Sequence, residues 1–305
     1  MMCSRRRHGV LQNLNLILLV LVVAQTAISQ ASSPVYFEEV VKKRFSSGEP
    51  KADWSFERFC PVSTSIVAAR VLEDYGAMFV ANESILLPHS CIQAGEGDVI
   101  RYQKSLKTKC IDIAGVRINF QAAAADAIQS AIDEAAAKDL SLTVLDGAIG
   151  GGRSYGETVM LWNSRFFPAM EFWIRRGRLS ETDREAIGRL DLQKKVEKVL
   201  EWEAQGIYFS TDRTRSIFTS TAPPGTSQHL ALIAMDVTEF WNPELRTILN
   251  RNGWFQTVVD DPAHFTYLGY AASELPGRGL RAIYKGSQQY WIPNLSPKAA
   301  IQPTN

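Results

Sequence analysis

The sequence predicts an α+β chain, and three observations predict it. Apolar residues recur at helical spacing from Asn119 to Ala135, a second helical stretch opens at Ser180, and short runs of strand length occupy Ser141 to Leu145 and Ala231 to Val237. With 46% hydrophobic and 21% charged residues in 305, the composition is that of a globular chain, which excludes a collagen repeat, a low-complexity polymer and a fully disordered tail. Lys and Arg number 33 against 32 Asp and Glu. The first 29 residues hold three of those arginines and no acid, leaving 30 against 32. So balanced a surface offers no footprint for a phosphate backbone, and no nucleic-acid partner is expected.

The N-terminal elements come first. Arg5, Arg6 and Arg7 form a basic segment, Leu16 to Ala24 an unbroken apolar one, and Ala27, Ile28 and Ser29 supply the small residues a signal peptidase accepts. Residues 1–29 are therefore expected to be a secretory signal, and the mature chain periplasmic or extracellular. Nine apolar residues fall short of the roughly 20 that cross a bilayer as a helix, so no stable membrane insertion is expected after cleavage. In an oxidising compartment Cys60, Cys91 and Cys110 predict one disulfide and one odd thiol, with the pairing open.

Residues 30–110 form an N-terminal region without a catalytic motif. It holds a helical stretch at Thr64 to Glu73, a strand at Ala77 to Ala81 and polar breaks around Gly95, Glu96 and Gly97. A second domain is expected over 111–292, followed by a loose tail over 293–305. In that domain Asn119 is placed to cap a helix whose Ala124, Ile128, Ala131, Ile132 and Ala135 share one face. The strand Ser141 to Leu145 runs into a loop from Asp146 to Tyr155 with three successive glycines. That loop ends Gly-Arg-Ser, whereas a phosphate-binding loop requires Gly-Lys-Ser/Thr, so no nucleotide site is assigned. Tyr155, Trp162 and Arg165 follow on a helix as packing or surface residues. Ser180 to Asp183 reads as a capping box opening a helix to about Gln205, stopped by Gly206, with Lys194, Lys195, Glu197, Lys198 and Glu201 on a solvated face. Tyr267 and Trp291 are read as core aromatics.

Two of the four histidines stand in Ser227-Gln228-His229-Leu230-Ala231-Leu232-Ile233-Ala234-Met235-Asp236 and in Asp261-Pro262-Ala263-His264. His229, Asp236 and His264 offer the nitrogen and oxygen ligands that zinc accepts, and three protein ligands leave a fourth position for water. Seven residues along a helix rise about 10 Å, too far for His229 and Asp236 to share an ion. A strand is worse, because seven residues span more than about 20 Å and an odd offset points the two side chains to opposite faces. The segment must bend back on itself. Thr221 to Gly225 reads as its loop entry and Ala231 to Val237 as a buried strand presenting Asp236. A turn closes the gap from Asp261 to His264, so that one can ligate while the other contacts the water.

The pattern S-x-H-x-x-G-x-A-x-D followed by D/E-x-x-H resembles the zinc D-alanyl-D-alanine carboxypeptidase and L-alanyl-D-glutamate endopeptidase superfamily, the VanY-type peptidoglycan peptidases. Ser227, His229, Ala234 and Asp236 match the first motif, Asp261 and His264 the second, and Arg153 with Ser154 an upstream Arg-Ser pair. The match runs over roughly Ile111 to Trp291. The resemblance implies a small antiparallel sheet carrying the zinc ligands, packed with helices and preceded by an N-terminal extension. It further implies Zn²⁺ on His229, Asp236 and His264, Asp261 as general base, Arg153 on an oxyanion or a substrate carboxylate, and Ser154, Tyr155 and Ser227 against the substrate. The expected partner is peptidoglycan or its peptide fragments, cut as a carboxypeptidase or an endopeptidase. One position departs: Leu232 stands where the family carries glycine, and if that position needs positive φ the leucine costs about 1 kcal/mol or more. This departure motivates the alternative, a non-catalytic cell-wall or partner-binding module that keeps the fold.

Overall fold

A computed structural model describes residues 34–46 and 54–297; the expected signal at 1–29 and the tail beyond 297 lie outside the described residues. In chain order the elements are α1 Phe37–Ser46, α2 Phe56–Phe59, α3 Ile66–Tyr75, α4 Glu96–Ser105, β1 Thr108–Ile113, β2 Val116–Gln121, α5 Ala122–Ala136, α6 Tyr155–Arg175, α7 Glu181–Gly188, α8 Leu192–Glu203, β3 Ala234–Asp236, α9 Pro243–Arg251, β4 Trp254–Gln256, β5 His264–Tyr267, β6 Leu280–Lys285 and β7 Gln288–Pro293. The class is α+β: helices surround three small antiparallel sheets, the hairpin β1-β2, the sheet β3-β5-β4 and the hairpin β6-β7. Among the described residues no helix is long and apolar enough to cross a membrane.

The central sheet is almost wholly buried. Every residue of β4 and β5 is buried, as are Ala234 and Met235 of β3, and the buried strands carry polar residues, Gln256, His264 and Thr266, among the apolar ones. Helix α5 supplies Ala124, Ile128, Ala131 and Ala135 to the same core, as the spacing predicts, and α9 adds Leu245, Ile248 and Leu249. Phe120 meets Trp254 edge-to-face at 5.5 Å between ring centroids. Tyr267 and Trp291 belong to this core, and so do Phe37, Phe59 and Phe79 from the N-terminal region. A second apolar cluster joins Val67 and Val71 of α3 to Trp162 and Phe166 of α6 and Val199 and Trp202 of α8.

Several sequence expectations are corrected. Residues 76–80 form a 3₁₀ turn rather than a strand, every one of them buried, and a short apolar run has no periodicity that separates the two. Gly95 to Gly97 does not break the chain: Gly95 precedes α4, and Glu96 and Asp98 in its first turn suit the positive end of the helix dipole. Asn119 lies in β2 opposite Cys110 and caps nothing, since α5 begins after Gln121. Of Ser141 to Leu145 only Val144 pairs, in an isolated bridge to Val237. The Ser180 capping box is present, with the Ser180 hydroxyl accepting from the Asp183 amide, but it opens α7 alone. Asp191 accepts from the Lys194 amide at 2.9 Å and starts α8 separately; Gly206, at φ +76°, closes the turn that follows.

Cys60 pairs with Cys91, Sγ to Sγ 2.07 Å, and Cys110 is free and exposed. The bridge ties the end of α2 to the segment ahead of α4, where the Gln93 amide donates to Gly225 O at 2.9 Å. It closes a loop of sequence separation 31. Closing a loop of that size restricts the unfolded chain by about 3–4 kcal/mol. A Cys60→Ala, Cys91→Ala variant is expected to lose stability of that order in urea unfolding, while Cys110→Ser shifts the midpoint by no more than about 0.5 kcal/mol.

Candidate metal centre

Asp236 ends β3 and His264 begins β5, and the two are direct cross-strand partners. Antiparallel pairing thus brings together side chains 28 positions apart without any special loop. His229 arrives differently. Gln228 to Ala231 make one 3₁₀ turn, and Leu232 then takes φ +55°, ψ +38°, reversing the chain into β3. This is the bend that the spacing of His229 and Asp236 demands. Leu232 therefore occupies the left-handed conformation that glycine adopts freely, at a cost of about 1 kcal/mol or more. The fold holds it there with Leu232 N to His229 O at 3.2 Å and Gln121 N to Leu232 O at 3.0 Å. The Gln121 side chain adds a bond from Nε2 to Ala231 O at 2.8 Å.

The three donor atoms converge. His229 Nε2 lies 3.1 Å from His264 Nδ1 and 3.3 Å from Asp236 Oδ1, and His264 Nδ1 lies 3.1 Å from the same oxygen. A tetrahedral ion with bonds of 2.0–2.2 Å separates its ligands by about 3.3–3.5 Å, close to these distances. The outer partners fix both rings. His229 Nδ1–H donates to the carbonyl of Gly151, which can only accept. Gln228 donates its amide Nε2 to Tyr75 O at 2.8 Å, so its Oε1 faces His264 Nε2 at 2.8 Å and requires the proton on that nitrogen. Both remaining ring nitrogens are then lone pairs aimed at a carboxylate oxygen, with no proton among the three. The residues fit a divalent metal with an open position.

Electrostatics agree. His229 and His264 are 1% and 5% exposed. Burial and the charge of Arg153 push the His229 pKa down to about 4, keeping the imidazole neutral and able to ligate at neutral pH. Burial opposes charge on Asp236, and in the metal-free chain a proton taken up by either imidazole on the side facing the carboxylate pulls that carboxyl well below its ordinary value. Arg153 Nη2 binds the other Asp236 oxygen at 2.7 Å, and its Nε donates to Ile149 O at 2.7 Å.

A cavity of about 220 Å³ opens beside the three donors, and Arg153, Ser227 and Asp261 share its wall. Burial raises the Asp261 carboxyl above its ordinary value, against the pull of His264 and Arg153. The Asp261 carbonyl accepts from His264 N at 3.2 Å, closing the turn expected between them. Ser154 and Tyr155 lie elsewhere. Ser154 caps α6, its hydroxyl 2.9 Å from Glu157 Oε2 and accepting from the Glu157 amide, and it faces a neighbouring cavity with Gln103 and Leu232. Tyr155 lines a third cavity with Pro223 and Pro224.

Gly150 and Gly151 serve close packing. A side chain at Gly150 would strike Leu145 O, and one at Gly151 would strike Ile118, so only glycine lets the Gly151 carbonyl reach His229. Sequence reasoning missed Gln228, although it sits inside the first motif, because its role depends on Tyr75. It also missed Gln103, whose Nε2 donates to Arg153 O at 2.8 Å and Leu230 O at 3.1 Å and ties the two site loops together.

No protein-family model matches the chain, and no curated protein matches it. Among solved structures, the chain is similar to a variant of the vancomycin-resistance D,D-pentapeptidase VanY in complex with Zn(II), at 19% identity and TM-score 0.35, covering 62% of this chain and 94% of that one. VanYB in complex with D-alanine-D-alanine gives 19% identity and TM-score 0.35, covering 62% and 92%. The LD-carboxypeptidase LdcB gives 15% identity and TM-score 0.30, covering 52% and 63%.

The depressed His229 pKa makes a prediction for the metal-free protein. Unfolded His229 takes up a proton near pH 6.5 and folded His229 only near pH 4, so between these values the unfolded state binds more protons. Stability is expected to fall as pH drops through this window, by up to about 3 kcal/mol from this group. Urea midpoints from pH 7 to pH 4 check it: the slope should shrink in His229→Asn.

Proposed function

We propose that this chain is an exported zinc-dependent peptidase that hydrolyses an amide bond in peptidoglycan stem peptides. One observation carries the reading: two imidazole lone pairs and a carboxylate oxygen converge within 3.3 Å with no proton to share. Motif order supports the substrate class, since the His...Asp and Asp-x-x-His segments, with Arg-Ser upstream, resemble the VanY-type peptidases residue by residue.

His229, Asp236 and His264 would hold the ion. Zinc, when bound, supplies a Lewis acid for the scissile carbonyl and lowers the pKa of a coordinated water toward about 7. The other steps belong to the chain. Asp261, at the cavity wall with its pKa raised by burial, takes a proton from the attacking water as the water oxygen bonds to the carbonyl carbon. It returns that proton to the departing nitrogen as the C–N bond breaks, giving a carboxylic acid and an amine. Arg153 is placed to keep Asp236 charged and oriented rather than to meet the substrate with its whole guanidinium, because two of its nitrogens are already engaged. Ser227, in the same wall, is the remaining polar group proposed to touch the substrate. Leu232, which motivates the binding-module alternative, takes the backbone conformation that the bend requires.

Purified mature protein should contain one zinc per chain and release peptide or amino acid from isolated peptidoglycan, with release abolished by a chelator and restored by zinc. Absence of both zinc and release would overturn the reading. Asp261→Asn should keep the zinc and lose about 10²–10⁴-fold in kcat. Unchanged kcat in that variant would remove Asp261 from the base role.

A further inference from the structure

The far end of α6 carries a group of arginines that the reaction does not use. Phe172 and Trp173 meet edge-to-face there, their ring centroids 4.9 Å apart. The Arg176 and Arg213 guanidiniums lie 4.6 and 4.8 Å from the centre of the Phe172 ring, and that of Arg178 lies 5.8 Å from the Trp173 ring. Arg175, in the last turn of α6, is exposed, as are Arg176 and Arg178, and Arg213 is half-buried. Among the described residues none of the four pairs with a carboxylate. The acids that flank them in sequence are engaged elsewhere: Glu171 and Glu181 with Arg184, Asp183 with the Ser180 amide at 2.8 Å, and Asp212 with Arg215 and with Ser210 Oγ at 2.6 Å.

The helix dipole explains only part of this group. Basic residues suit the negative C-terminal end of a helix, which accounts for Arg175 and Arg176. Arg178 lies beyond it, after Gly177 at φ +66°, and donates one nitrogen to Gln205 O at 2.9 Å. Arg213 comes from a separate loop, at φ +60°, a conformation that residues other than glycine rarely take, and its described side-chain bond, from Nη1 to Thr211 O, is 3.5 Å long. A guanidinium placed over a ring is held by its face and keeps its N–H edge for an anion. Like charges gathered without counter-charges raise the local positive potential, which a polyanion lying across them offsets.

We propose that this end of α6 is a second contact with peptidoglycan, in which Arg176, Arg178 and Arg213 hold carboxylates of stem peptides other than the one being cut. The inference rests on the peptidase reading and deepens it. Leu161 lines the metal-site cavity from the same helix, and eleven residues of helix place Phe172 about 16 Å further along. Trp162 and Phe166, both buried, pack α6 into the second apolar cluster, so cavity and arginines keep a fixed separation. In the proposed substrate the repeating anion is a carboxylate, which a guanidinium fork meets with two parallel bonds. Several weak pairs made at once retain the enzyme on the polymer while the cavity exchanges one stem for the next.

The test is co-sedimentation of zinc-loaded protein with isolated insoluble peptidoglycan at low salt, in the Asp261→Asn background that suppresses turnover. Arg176→Gln, Arg178→Gln and Arg213→Gln together should weaken binding at least fivefold, and lysine at the same three positions should recover part of the loss. Peptidoglycan whose carboxylates have been converted to amides should bind the protein with native arginines no more tightly than unmodified peptidoglycan binds the glutamine variant. With Asp261 intact, the glutamine variant should cleave small soluble fragments of the same peptidoglycan with kcat/KM within twofold of native, and the insoluble polymer with KM at least fivefold higher. Unchanged sedimentation of the glutamine variant, binding that survives amidation, or equal losses on fragments and polymer would overturn the assignment. So would native protein that sediments with vesicles of anionic lipid and not with peptidoglycan. The peptidase reading fails by a different result, absence of chelator-sensitive release by the native protein, which leaves the sedimentation result readable.

Discussion

Three electron-rich atoms held at about 3.1–3.3 Å from one another with no proton between them is the constraint on which the rest of the molecule turns. Such an arrangement is repulsive in a buried setting unless a cation occupies its focus. Each histidine has its proton drawn to the far nitrogen by an acceptor, Gly151 O for one and Gln228 Oε1 for the other, so neither ring can relieve the repulsion by turning a donor inward. Arg153 neutralises part of the Asp236 charge from outside but leaves Oδ1 facing the imidazoles. The fold has prepared a group of three side chains that could hold a metal ion, fixed by outer hydrogen bonds that reach well beyond the two sequence motifs.

Much of the supporting structure comes from residues before 110, which carry no motif of their own. Tyr75 orients Gln228, Gln103 joins the Arg153 and Leu230 backbones, and Gln93 holds Gly225 at the entry to the His229 turn. Leu86 pairs with Gln121, the residue that grips Ala231 and Leu232. The strain at Leu232 is thus offset by a scaffold assembled from sequence-distant segments. The Cys60–Cys91 bridge fixes the same region from behind.

The convergence of His229, Asp236 and His264 was legible because its chemistry is local: imidazole and carboxylate types at offsets that no straight helix or strand can reconcile force a reversal, and Leu232 supplies it. The α5 helix was legible from its alanine and isoleucine spacing. Residues 76–80 were not, because a buried apolar pentapeptide satisfies a strand and a 3₁₀ turn equally. The Ser180 helix was read as one piece because the polar break at Arg189 to Asp191 is itself helix-compatible; only the capping geometry of Asp191 divides it. Asn119 misled for a similar reason, since an N-cap residue type three positions before the first helical residue is also tolerated inside a short strand. Ser154 and Tyr155 follow Arg153 in sequence, yet the start of α6 turns them toward other cavities. The roles of Gln228 and Gln103 depend wholly on partners distant in sequence.

Zinc K-edge absorption on protein loaded with one equivalent of zinc tests the convergence most directly. The account predicts a first shell of nitrogen and oxygen near 2.0–2.1 Å with the outer-shell scattering of two imidazoles, falling to one imidazole in His264→Ala. A spectrum without imidazole scattering, or one identical in His229→Ala and His264→Ala to the native protein, would contradict it.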